Sequence, residues 1–187
     1  MTKLLVIDTE TGGLDPARCS LLTLGAVVWE DGRIVAESEW LVRETRLEIE
    51  PASLKEHQVD LREAAAKGRP PAEVAHAFLD FARPHFPGEK IAVAGHNIGF
   101  DVGFLKRLFA QAGADYEGHF SHRLIDTSSI LGVLALAGRI AIKSRGLSEA
   151  IAYFQLPVDA ARRHTALEDA RVTALLLTKL VDLLRAG

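Results

Sequence analysis

Residues 3–13 read Lys-Leu-Leu-Val-Ile-Asp-Thr-Glu-Thr-Gly-Gly. The first five positions are Leu, Val and Ile behind a single lysine, the composition of a buried strand, and the two glycines supply a turn that stops it. Asp8 and Glu10 stand two apart at the end of that strand, so the alternation of side chains puts both on one face. Two carboxylates placed there repel each other and lose hydration, which costs free energy unless a cation or a proton compensates. A bound metal accounts for the pair. So does a plainer arrangement, with one carboxylate capping the turn and the other solvated.

Working outward, residues 21–29 and 33–42 are two apolar-rich runs separated by Glu30-Asp31-Gly32. An Asp-Gly pair in that position signals a β-hairpin, so the chain opens with a three-stranded meander. Residues 50–68 mix charge with Ala and Leu and predict one or two short surface helices. Pro70-Pro71 then starts a helix through Ala75, Phe78, Leu79 and Ala82, with proline suited to a first turn. Residues 91–94 form a fourth strand, Gly95-His96-Asn97 a loop, and Phe100, Phe104, Leu105 and Leu108 fall at helical spacing after it. Leu124-Ile125 is a fifth strand ending at Asp126. Helices are expected over 127–137 and 146–154, and residues 165–184 carry the apolar stripe of a long amphipathic helix. Neither a repeat nor a linker divides the chain. The expectation is an α/β fold with a mixed five-stranded sheet, helices on both faces, and one domain over residues 1–187.

Composition narrows the function classes. The chain has 187 residues, 48% hydrophobic and 25% charged, enough to bury a core of its own. Cys19 is the only cysteine, which excludes an internal disulfide, and His119 and His122 lack further ligands at structural-zinc spacing. The apolar start is too short for a signal-peptide core, and no run approaches the ~20 apolar residues of a membrane span. A soluble, cytoplasmic protein without a membrane partner is expected. The formal charge of −3 lacks the basic footprint usual in nucleic-acid binders.

Three further polar residues complete a set. Asp101 follows the fourth strand's loop near a helix start, where a lone aspartate commonly caps. That loop also lies beyond a strand's carboxyl end, where α/β sheets place ligands, and would bring Asp101 near Asp8 and Glu10 if strands one and four are neighbours. Asp169 falls in the first turns of the last helix, with His164 five residues before it on the entering loop. A lone histidine there is ordinarily a solvated surface residue. Four carboxylates from three separated segments form an oxygen-rich set that suits Mg²⁺ or Mn²⁺, and two such ions could clamp an in-line phosphodiester displacement.

The same residues carry a family resemblance. Val6-Ile7-Asp8-Thr9-Glu10-Thr11-Gly12-Gly13-Leu14 resembles the first motif of the DEDDh 3′→5′ exonucleases, the ribonuclease-H-like group that includes the bacterial polymerase proofreading subunit and ribonuclease T. The run from Gly95-His96-Asn97 through Phe100-Asp101 to Leu105 is similar to the second motif, and His164-Thr165-Ala166-Leu167-Glu168-Asp169-Ala170 to the third. Gly12 stands where the family often has Thr, and the loop at His57-Gln58-Val59-Asp60 lacks the usual His-Gly-Ile-Thr-like form, which bears on substrate subclass.

The resemblance implies two Mg²⁺ or Mn²⁺ ions per site. Asp8 would bridge them, Glu10 and Asp169 would complete the site of the ion that activates water, and Asp101 would hold the other. His164 would be the general base, since an imidazole with an unperturbed pKa of about 6.5 can take a proton from water near neutrality. It places Thr11 and Leu14 beside the terminal nucleotide and His96 and Asn97 in the pocket wall. Core packing is an equal alternative for Leu14 and the better one for Phe100 and Phe104, which could otherwise stack on bases.

The substrate class implied is the 3′ end of single-stranded DNA or RNA. The charge objection weakens, because two divalent ions would take −3 to +1, and residues 121–163 hold six Lys/Arg against three acidic residues. That segment (Arg123, Arg139, Lys143, Arg145, Arg162 and Arg163) is the candidate for phosphate contact, with a solvated face as the plain alternative. A catalytically inactive polynucleotide-binding module would lack a signature residue, and none is lacking. A proofreading role beside a DNA polymerase needs a docking segment, and the 18 residues after Asp169 are taken up by the last helix, so a free-standing exonuclease is expected. The ribonuclease T likeness leaves a homodimer open.

Overall fold

The computed structural model describes residues 2–53, 59–159 and 161–186. The first strand, β1 (Lys3–Thr11), runs four residues past the expected end, so Asp8 and Glu10 lie inside its hydrogen-bonded part. It pairs antiparallel with β2 (Leu21–Glu30), Asp8 opposite Gly25 and Glu10 opposite Thr23, with a bulge between Glu10 and Thr11. The hairpin to β3 (Arg33–Leu41) turns on Asp31 and Gly32, both left-handed at φ 46° and 91°. Positive φ at both central positions is what a type I′ hairpin turn requires, and it explains the Asp-Gly pair.

Helix α1 (Leu61–Lys67) is capped by Asp60, whose side chain accepts from the amides of Arg62 and Glu63. It answers the expectation for residues 50–68, while His57 and Gln58 of the atypical loop lie outside the described residues. Helix α2 (Pro71–Ala82) starts on its proline as expected and leads through a 3₁₀ turn to β4 (Ile91–Gly95) and α3 (Gly99–Gln111). The fifth strand, β5 (Phe120–Asp126), ends at Asp126 as expected but begins four residues earlier, and a one-turn helix α4 (Tyr116–His119) that the sequence did not predict precedes it. Their signal is tertiary. Fully buried Phe120 stacks on Tyr116 and Phe78 while most of β5 is partly or fully exposed, so no apolar run marks the strand. The chain closes with α5 (Thr127–Leu136), α6 (Leu147–Phe154) and α7 (Ala166–Arg185).

The sheet order is β3-β2-β1-β4-β5, with β1 central, antiparallel to β2 and parallel to β4. This confirms the neighbourhood of strands one and four. Alternation along β1 sends Leu5 and Ile7 to a core shared with Phe78 of α2 and Phe104 and Leu105 of α3. Leu4 and Val6 go to the opposite face, against Leu167, Ala170, Ala174 and Leu177 of α7. A third cluster joins α5 and α6 to the far side of α7 through Leu131, Leu134, Ala150, Leu176 and Leu180. Each fully buried Leu contributes about 1.5–3 kcal/mol, and the first two clusters fix α3 and α7 on the two faces of the sheet. The carboxyl ends of β1 and β4 open between those helices. No helix among the described residues is long and apolar enough to cross a membrane.

Candidate active site

Asp8, Glu10, Leu14, His96, Asn97, Asp101, His164 and Asp169 line one cleft of about 420 Å³ together with Thr9 and Phe100, whereas Thr11 does not reach it. Asp8 and Glu10 face the α7 side of β1, and the first turn of α7 brings Asp169 to them. One ligand oxygen from each of these three residues lies within 4.8 Å of the others, forming a potential metal-holding group. Asp101 comes from the other face. It is buried in the first turn of α3 and accepts a 2.7 Å hydrogen bond from Thr9 Oγ1, the side chain between Asp8 and Glu10 that alternation turns toward α3. The carboxylates of both faces therefore meet at the end of β1.

Their electrostatics show what the geometry lacks. Burial pushes the Asp8 carboxyl well above its ordinary range, reinforced by the charges of Asp101, Asp169 and Glu10. Glu10 is pushed up to about 8 by burial and then by Asp169, Asp101 and Glu39. Burial carries Asp101 to about 7 against the hydrogen bond from Thr9, which favours its charged form. Carboxylates this reluctant to ionise, with oxygen donors converging, are short of positive charge. A hard divalent cation with carboxylate and water ligands fits the donor set.

One cation is already nearby. Arg163 Nη1 donates to Asp169 Oδ1, and Nη2 donates to Ser148 Oγ at 3.1 Å. Arg163, named above among the candidates for phosphate contact, thus has its guanidinium turned inward onto the carboxylate cluster.

His164 is exposed on the loop entering α7, as expected, and adopts a left-handed φ of 64°. Its backbone N–H reaches Asp169 Oδ1 at 3.4 Å. His96 Nδ1 lies 2.9 Å from Thr127 Oγ1, and that hydroxyl donates its one proton to the Gly95 carbonyl. The hydrogen in the His96 contact must therefore be on Nδ1, and burial holds the ring's pKa below its ordinary value. Asn97, at φ 59°, donates its backbone N–H to Asp126, the cap of α5.

Leu14 is 79% exposed at the cleft rim, which rules out core packing. Phe104 is core, whereas half-buried Phe100 lines the cleft and a neighbouring one of about 410 Å³. Thr11 borders only that neighbour, and its hydroxyl is engaged in the turn, donating to Gly13 O at 2.8 Å.

A ribonuclease-H-like α/β sheet with four acidic side chains meeting at its central strand defines a class of nuclease folds, and comparison with known proteins bears this out. The exonuclease family matches residues 5–177. The chain belongs to that family, as the DEDDh resemblance implied. It is 33% identical over 182 residues to the PolC-type DNA polymerase III of Thermotoga petrophila, covering 97% of this chain and 12% of that protein. It is 24% identical to ribonuclease T of Actinobacillus pleuropneumoniae, over 97% of this chain and 84% of the relative. The fold superposes on E. coli exonuclease I, crystallised with a dT13 oligonucleotide, with a TM-score of 0.83 at 16% identity, covering 42% of that chain. The chain thus spans about an eighth of the polymerase relatives it matches.

Proposed function

We propose that this protein is a divalent-metal-dependent 3′→5′ exonuclease that releases nucleoside 5′-monophosphates from single-stranded DNA or RNA, with residues 1–187 forming one catalytic domain. The observation that carries the proposal is the convergence of Asp8, Glu10 and Asp169 within 4.8 Å, beside Asp101, in a cleft that His164 also lines. Asp8, Glu10 and Asp169 would hold one Mg²⁺ or Mn²⁺, and Asp101 with Asp8 a second. When bound, the ions supply Lewis-acid stabilisation of the attacking and leaving oxygens and acidify the water.

The chain's own residues do the rest. His164 accepts the proton of the attacking water on an imidazole nitrogen, as the water oxygen bonds to phosphorus and the 3′ oxygen of the preceding nucleotide departs. Its exposed loop position leaves the ring free to meet a substrate. Leu14 and Phe100 offer apolar surface to the terminal base, and His96 and Asn97 form the opposite wall. The test is a 5′-labelled single strand, DNA and RNA of one sequence, incubated with Mg²⁺, Mn²⁺ or EDTA. A ladder shortening from the 3′ end, abolished by EDTA and by Asp101→Ala, supports the proposal, and intact strands with every metal reject it.

The polymerase relatives favour one second reading, proofreading of a primer terminus. It predicts faster removal of a mismatched than a matched 3′ nucleotide on a primed duplex.

A further inference from the structure

The pairing registers place Asp8 opposite Gly25, and Gly25 opposite Glu39, so one row crosses β1, β2 and β3. Directly paired residues share a face, and here it is the face covered by α7. At Gly25 the start of α7 lies on the strand itself: a Cβ there would be 2.3 Å from the carbonyl of Ala166 and 2.5 Å from the amide nitrogen of Leu167. At the next position along the row, Glu39 Oε1 accepts the Leu167 N–H at 3.0 Å.

That N–H is one of those a helix leaves without an internal partner, and a carboxylate is the acceptor best matched to the positive end of the helix. Thr165 Oγ1 takes the amide of Glu168, and Asp169 N already bonds to Thr165 O at 3.0 Å. Glu39 therefore fixes the helix two residues before its cleft-facing carboxylate. The placement has an electrostatic cost, since Glu39 adds to the charges that oppose ionisation of Glu10.

Resting on the proposed metal-dependent function, we infer that Glu39 is a positioning residue. It seats the first turn of α7 on Gly25 and thereby holds Asp169 at chelating distance from Asp8 and Glu10. It does not itself touch the ion. The sheet row thus ties one side of the metal centre to a strand two removed from it.

Glu39 is exposed, so substitution leaves the core intact, and a melting curve verifies this. Mn²⁺ binding is measured by calorimetry on the whole chain, without nucleic acid. Glu39→Ala should weaken Mn²⁺ about tenfold, the usual scale for a residue that orients a ligand. Glu39→Gln, whose amide oxygen keeps the acceptor but not the charge, should stay within about twofold of wild type. Asp169→Asn combined with Glu39→Ala should weaken binding by less than the product of the two single effects, because both act through one carboxylate. Unchanged binding in Glu39→Ala, or Glu39→Gln as weak as Glu39→Ala, or fully multiplicative effects, overturns the positioning role while leaving the exonuclease proposal standing. Absence of Mn²⁺ binding by the wild type overturns both.

Discussion

Arg163 lies on the carboxylate of Asp169, with both side chains largely buried and the guanidinium held from behind by Ser148 Oγ. Positive charge from the protein therefore partly compensates the cluster in which the proposed ions would bind. An ion held by Asp169 would share that carboxylate with the guanidinium, and the two positive charges would oppose each other.

Arg163→Gln should accordingly tighten Mn²⁺ binding, by roughly threefold to tenfold, since the ion no longer sits beside a buried cation. The metal-free variant should melt about 2–4 °C lower, the shift expected for a loss of about 1 kcal/mol in a chain of this size. Calorimetry and a melting curve in EDTA check the two halves separately. Weaker Mn²⁺ binding in the variant would mean that Arg163 assists the ion.

The carboxyl shifts make metal-free stability depend on pH in a definite direction. Glu10 is raised to about 8 and Asp101 to about 7, so the folded state holds protons that the unfolded chain has released. Their contribution is complete below the ordinary carboxyl range and is lost as pH rises through about 7 to 8. In EDTA the melting temperature should fall from pH 5 to pH 8, and Glu10→Gln should flatten the decline. With Mn²⁺ present the trend should reverse, because the ion binds deprotonated carboxylates.

Thr9→Val removes the buried 2.7 Å hydrogen bond to Asp101. A neutral loss of this kind costs about 1 kcal/mol. It also removes an interaction that favours the charged carboxylate, so the acid limb of the pH–rate profile should move to higher pH. An unmoved limb, with stability lost, would limit Thr9 to a structural role.

Leu14 contacts little of its own protein at 79% exposure. Leu14→Ala should leave the melting temperature within about 1 °C, while KM for a single strand rises about tenfold, the scale of an apolar side chain partly buried by a ligand. Equal KM values would remove Leu14 from the proposed substrate surface.

The elements that could be read from sequence are those whose signal is local. The hairpin is written in Asp31-Gly32, the start of α2 in Pro70-Pro71, and the shared face of Asp8 and Glu10 in their spacing. Elements defined by what they pack against were less legible: β5 is held by Phe120 against Phe78 and Tyr116, not by an apolar run of its own. The site shows the same division. The residues of the three motifs were legible, but the inward turn of Arg163 onto Asp169 and the bond of Glu39 to Leu167 were not, because sequence alone does not say which way an arginine in a basic stretch or a glutamate on an exposed strand points. Leu14 had core and surface readings in balance until the turn after β1 placed it outside.

The most direct test of the central claim follows the oxygen of water. Single-stranded substrate is digested with Mn²⁺ in H₂¹⁸O, and the released mononucleotides are analysed by mass spectrometry, beside Asp8→Asn and Asp169→Asn variants. The account predicts nucleoside 5′-monophosphates carrying one ¹⁸O on the phosphate, released in order from the 3′ end, and no release from either variant. Nucleoside 3′-monophosphates, or undiminished release by the variants, would contradict it.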